Sequence, residues 1–215
     1  MFKDRSEAGR LLALQLGRSA DSSVLVLALP RGGVPVGLEI ARALEAPLDV
    51  LLVQKLAAPG QPGLTIGTVV EGDPPESLIR QDVVAGLHIS DRAIEAATAK
   101  AVLETQRRSS LYRGSRPRED IAGATVILVD DGVATGITIH AAVRALRRAK
   151  PARLILALPV APPEVVRALE AEVDAVVCLA TPPEIVALGM FYQCYDPVSD
   201  ADVVAMLGTA VTPER

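Results

Sequence analysis

Val126-Ile127-Leu128-Val129-Asp130-Asp131-Gly132-Val133-Ala134-Thr135-Gly136-Ile137-Thr138 decides the reading of this chain. Four apolar residues form a strand that carries two adjacent carboxylates to its carboxyl end. The chain then passes through a small Gly-Val-Ala-Thr-Gly loop into an amphipathic helix. Ligands of open α/β sheets bind at that edge. Gly132 and Gly136 permit positive φ and close approach, so the loop amides and the helix N-terminus can converge on one phosphate. The hydroxyls of Thr135 and Thr138 add donors. Asp130 and Asp131 are unsuited to phosphate but suit vicinal hydroxyls or a hydrated Mg²⁺, so the segment predicts a ribose 5-phosphate pocket.

On either side the chain alternates short β-branched runs with segments of helical period, the pattern of a mostly parallel sheet flanked by helices. Strands are expected at Ser23–Leu29, Leu48–Val53, Thr125–Val129, Arg153–Leu158 and Asp174–Leu179. The near-continuous apolar character of Ser23–Leu29, Thr125–Val129 and Arg153–Leu158 fits strands covered on both faces, and the other two each follow a segment that reads as helix. Helices are expected at Asp4–Arg18, Val34–Leu44, Ile137–Arg148 and Pro163–Glu172, with Asp4 capping the first, and at Asp91 to about Tyr112, capped by Ser90. The Pro/Gly-rich stretch Ala57–Gly63 reads as a mobile loop over about residues 56–66, followed by a short hairpin in Leu64–Arg80. The basic stretch Gln106–Arg118 reads as a solvated helix end. The tail from Thr181 carries Phe191, Tyr192 and Tyr195 and predicts a small cap over the sheet.

Composition narrows the function classes. The chain has 215 residues, 50% of them hydrophobic, which suits one compact domain over residues 1–215. Its mean hydropathy of +0.33 excludes a disordered chain. No apolar run is long enough to span a membrane, and charges occupy the N-terminus where a signal peptide needs its apolar stretch, so a cytoplasmic protein is expected. A net charge of −4, with three Tyr, two Phe and no Trp, speaks against nucleic-acid binding. Cys178 and Cys194 read as reduced core residues, and His88 and His140 lack spaced partners for a metal.

Two further motifs adjoin the decisive one. Leu29-Pro30-Arg31-Gly32-Gly33-Val34 follows the first strand, and Gln54-Lys55 closes the second. With VDDGVATGIT they resemble the type I phosphoribosyltransferase family, and the order LPRGG, LLVQK, Pro/Gly loop, IGTVVEGD, long helix, VDDGVATG is similar to stand-alone bacterial proteins of that family. Some relatives of that group are fused to hydrolase domains, and none is expected within these 215 residues. Gly132 departs from the family's usual apolar residue and is expected only to loosen the turn.

The resemblance implies the Rossmann-like type I phosphoribosyltransferase fold, with a cap built from 181–215, the N-terminal helix or both. It implies displacement of pyrophosphate from phosphoribosyl pyrophosphate (PRPP) by a nitrogenous acceptor. Asp130 and Asp131 would hold the ribose hydroxyls, and Ala134, Thr135, Gly136, Ile137 and Thr138 the 5-phosphate. Arg31, Gly32, Gly33 and Lys55 would neutralise pyrophosphate, with a cis Arg31–Gly32 bond in that loop. Mg²⁺ would be held through PRPP, with Asp130, Asp131 and Glu71 as further ligands, since the donors are oxygens rather than Cys or His. A ring from Tyr192 or Phe191 would stack on the acceptor base, and a homodimer is the family's habit. Ala134 lacks the acid–base group of 6-oxopurine enzymes, which weighs against hypoxanthine and guanine. A PRPP- or nucleotide-binding regulator without turnover, using Arg107–Arg118 on nucleic acid, is the alternative reading.

Overall fold

A computed structural model describes residues 1–17 and 23–210, the side chain of Pro62 excepted. The expected helix end at Arg18 and the last five residues of the tail lie outside the described residues. In chain order the first half holds α1 (Arg5–Leu16), β1 (Val24–Ala28), α2 (Gly33–Leu44), β2 (Leu48–Val50), β3 (Val53–Ala58), β4 (Gln61–Val70), β5 (Glu76–Ile79), α3 (Gln81–Gly86) and α4 (Asp91–Arg113). The second half holds β6 (Thr125–Val129), α5 (Ile137–Arg148), β7 (Arg153–Val160), α6 (Pro163–Glu170), β8 (Ala175–Ala180), a 3₁₀ turn (Leu188–Phe191) and α7 (Asp200–Thr209). The Asp4 carboxylate caps α1 by accepting from the Glu7 amide at 2.7 Å, whereas the Ser90 side chain makes no capping bond to α4.

The main sheet is parallel in the order β2-β1-β6-β7-β8. The inner strands β1, β6 and β7 are nearly continuously apolar because both faces are covered. Val26, Ala28, Ile127 and Val129 pack with residues of α1, α2 and α7. Leu25, Leu27, Val126 and Leu128 pack with residues of α5 and α6 on the other side. The connections run one way from β1 and the other way from β6, so these neighbours form the switch point where ligands of such sheets bind. Ala28 stands opposite Val129, which places loops 30–32 and 130–136 side by side.

The expected strand Leu48–Val53 divides in two. The parallel strand stops at Val50, and Leu51 and Leu52 are buried in opposite cores. Val53 then opens a second, antiparallel sheet, β3-β4-β5, so Lys55 lies on that sheet rather than at the end of the second strand. The expected Pro/Gly loop is mostly the β3-β4 hairpin, turning at Pro59-Gly60. Register shifts beside Ala57 absorb the irregular sequence.

Thr68, opposite Lys55 in that hairpin, has a buried hydroxyl without a hydrogen-bond partner among the described residues. Thr68→Val keeps the branched shape and removes an unpaired polar group, so it is expected to raise unfolding free energy by about 1 kcal/mol in a urea titration. A loss of stability would place a partner on that hydroxyl.

After β8 the tail crosses the carboxyl edge of the main sheet, where Phe2 forms a parallel bridge with Tyr192. It ends in α7, which packs on α2 and α4 and buries Val203 and Leu207. Cys194, expected in the core, is exposed in this tail. Among the described residues no helix is long and apolar enough to cross a membrane.

Candidate active site

A cleft of about 240 Å³ opens at the switch point, lined by Lys55, Asp130, Asp131, the loop and helix start from Gly132 to Ile139, and Leu188. β6 delivers the acid pair, and the small sheet delivers the lysine. The Val133 amide donates to Val160 O at 2.9 Å and pins the loop to the end of β7. Beyond it Ala134 and Thr135 are exposed, and Gly136 turns into α5 with φ +77°. Among the described residues no hydrogen bond takes the amides of residues 134–138, which leaves a helix N-terminus with its donors open toward the cleft. His140 is outside this set. Its Nδ1 is paired with Glu172 at 2.8 Å.

The acid pair is asymmetric. Burial pushes the Asp130 carboxyl well above its ordinary range, the Asp131 charge adds to that, and Lys55 works against it. Asp131 is enclosed instead by partners. Its Oδ2 accepts from Arg5 Nε at 2.8 Å and from the Tyr195 hydroxyl at 2.9 Å, and its carbonyl accepts from the Tyr192 hydroxyl at 2.5 Å. Gly32 backs the same carboxylate, and a methyl at that position would overlap it. A Cβ added to Gly33 would lie 2.7 Å from Val129 O and 3.0 Å from Asp130 Cα, so the Gly-Gly pair is pressed onto the end of β6 and the residues that follow it.

The remaining expected residues part company. Arg31 is half-exposed and turned toward Asp200, 3.6 Å away at the start of α7. The expected cis bond at Arg31–Gly32 falls one residue earlier, at Pro30–Arg31. Gly32 already has helical dihedrals and leads into α2, so the kink precedes Arg31. Glu71 is not free to serve a metal, because Arg113 binds both of its oxygens, at 2.6 and 3.0 Å. Arg113 itself is buried, so the basic stretch is not wholly a solvated helix end.

Tyr192 and Phe191 are not presented for stacking on a base. Tyr192 is buried, and both rings pack in a cluster with Phe2 and Ala8. The tail residue that reaches the cleft is Leu188. Gly132, with φ +147°, makes room for it: an added Cβ would lie 2.6 Å from Leu188 Cδ2 and 2.8 Å from Val160 Cγ1. The glycine therefore serves close approach rather than a looser turn. Arg5 and Leu188 carry no sequence signal that separates them from ordinary helix and tail residues. Tyr195 is visible only as one of the tail's rings.

This geometry has counterparts. Two proteins from strains of Mycobacterium tuberculosis, provisionally named phosphoribosyl transferases, are each 42% identical over 210 residues, covering 98% of this chain and 47% of theirs. The chain thus spans about half the length of these curated relatives. The crystal structure of TT1426 from Thermus thermophilus superposes with a TM-score of 0.79 at 39% identity, covering 98% of this chain and 99% of that one. That likeness spans both sheets and the tail, so the α/β architecture expected from the sequence is the one its relatives share. The phosphoribosyl transferase domain family matches residues 5–187, from the arginine on Asp131 to the tail beside the cleft, and the chain belongs to that family.

Proposed function

We propose that the protein is a Mg²⁺-dependent phosphoribosyltransferase, a pentosyl-transferring enzyme that moves the 5-phosphoribosyl group of PRPP to a nitrogenous acceptor and releases pyrophosphate. The observation that carries this reading is the meeting of Lys55, the acid pair and the open amides of residues 134–138 in one cleft. Each part matches a part of PRPP. The amides and the Thr135 and Thr138 hydroxyls bind the 5-phosphate. Asp130 and Asp131 accept from the ribose hydroxyls, and their negative field favours the cationic ring that develops as the C1–oxygen bond breaks. Lys55 neutralises the departing pyrophosphate, and Arg31 joins it on leaving Asp200. The β3-β4 hairpin that carries Lys55 is the segment suited to exclude water from the strained sugar.

The donor set also fits magnesium. Asp130 and the Asp131 oxygen outside its ion pair are hard carboxylate ligands, too few for a cage, which suits an ion that keeps substrate oxygens and waters in its shell. Such an ion, when bound, adds charge neutralisation at the pyrophosphate. At position 134 the loop presents a methyl rather than a proton-shuttling carboxylate, and the tail beside it presents Leu188, which weighs against 6-oxopurines.

The test is pyrophosphate release from Mg²⁺-PRPP with purines, pyrimidines and pyridine carboxylates. Release that requires one acceptor is the expected result, and it names the substrate. Saturable PRPP binding without release for any acceptor would overturn turnover in favour of a ligand-sensing role.

A further inference from the structure

The first residues of the chain and its tail are sewn together over the acid pair. The Phe2 amide donates to Phe191 O at 2.7 Å, and the Gln193 and Cys194 amides donate to Phe2 O and Lys3 O at 2.8 and 2.9 Å. This short ladder sets α1 so that its first residue, Arg5, points at the carboxyl end of β6. The Arg5 guanidinium lies 3.8 Å from the centre of the Tyr195 ring, donates from Nη1 to Asp196 O at 2.8 Å, and donates from Nε to Asp131 Oδ2 at 2.8 Å. Tyr195 donates to the same Oδ2 at 2.9 Å. Only 11% of the Arg5 side chain and 9% of the Asp131 side chain are exposed. One carboxylate oxygen is thus tied by two donors from opposite ends of the chain, and Oδ1 is left outside the clasp.

We propose that Arg5 and Tyr195 are positioning residues that fix the Asp131 carboxylate so that its other oxygen reads a ribose hydroxyl. The proposal rests on the PRPP reading of the cleft and adds residues outside the phosphate and pyrophosphate loops. A carboxylate free to rotate would share its time among orientations and solvent, whereas a carboxylate held at one oxygen offers the other in a fixed direction. The clasp has a consequence for ligand choice. It acts on sugar hydroxyls and leaves phosphate binding to the amides of the loop.

Calorimetric titration of the full chain with ribose 5-phosphate, 2-deoxyribose 5-phosphate and inorganic pyrophosphate, each with Mg²⁺, tests this. Wild-type protein is expected to prefer the ribose over the deoxyribose by about tenfold. Arg5→Gln is expected to bring that preference to within about twofold, with pyrophosphate affinity unchanged. Arg5→Lys, which keeps the charge but not the fork, is expected to recover part of it. Tyr195→Phe keeps the ring under the guanidinium, deletes one bond and is expected to fall between wild type and Arg5→Gln. An unchanged preference in Arg5→Gln overturns the clasp alone, as does a parallel loss of all three ligands, which would mark a structural role. Wild-type protein that binds neither Mg²⁺-PRPP nor ribose 5-phosphate overturns the PRPP reading and the clasp with it.

Discussion

Replacing Arg113 by methionine is expected to lower the free energy of unfolding by about 3–5 kcal/mol, the cost of leaving buried carboxylates without their counter-charge. Arg113 is 6% exposed and lies in the last turn of α4. Its Nε donates to both oxygens of Asp49 in β2, at 2.8 and 3.0 Å, and its Nη2 donates to Val50 O at 2.6 Å. Glu71, just beyond β4, takes the other edge of the fork. One guanidinium therefore bolts the small sheet and α4 to the main sheet, and the small sheet is what carries Lys55 to the cleft. Urea unfolding followed by circular dichroism measures the loss, and a cost below about 1 kcal/mol would mean that the network behaves as a solvated one.

The same network sets an acid limb. Burial raises the Glu71 carboxyl, but the hydrogen bonds and charge of Arg113 more than offset this and hold it below its ordinary value of 4.5. A depressed folded value means that the unfolded chain binds more protons. The contribution is then fully present above about pH 4.5 and is lost as pH falls through the folded value. Arg113→Met is expected to remove that limb, leaving stability near pH 4 less sensitive to acid than in the wild type.

What the sequence reveals and what it hides differ by the range of the interactions. The strand Thr125–Val129 and the helix Ile137–Arg148 stand where local pattern places them, because apolar continuity, a Gly-rich loop and helical period are all written within adjacent residues. LDVLLV reads as one strand because nothing local marks the point where Leu51 and Leu52 go to opposite cores. Arg113 looks like its neighbours Arg107 and Arg108, which do pair with Glu104 on the helix surface. Only the approach of Asp49 and Glu71 from other elements distinguishes it. Arg5 is harder still. Its partner Asp131 is 126 residues away, and the clasp exists only once the tail has crossed the sheet. Local pattern thus locates the acid pair and the loop of the cleft, while the residues that hold them in place become visible only in the assembled fold.

Asp130→Asn is expected to reduce PRPP turnover by about 10²–10³-fold, the range seen when one preorganised electrostatic group is removed from a reaction centre. The amide is nearly the same size, so packing against Gly33 is kept. On the proposed reading it loses one acceptor and gains donors where sugar hydroxyls would need acceptors, and it removes a negative charge that would face the developing cation. The same substitution is expected to raise the melting temperature. Burial, with the Asp131 charge second, pushes the Asp130 carboxyl upward, so the folded protein holds that proton more tightly than the unfolded chain does. The resulting stability is fully present below the unfolded value and declines as pH rises through the folded one, leaving the ionised carboxylate destabilising beyond it. Asparagine has no charge to ionise, so the wild-type decline should be absent from the variant. A residue that serves only the fold loses stability when changed, whereas a charge kept for a ligand gives stability back. Melting curves across pH, set beside pyrophosphate release, separate the two: lower stability together with lost turnover would assign Asp130 to the scaffold and withdraw it from the sugar.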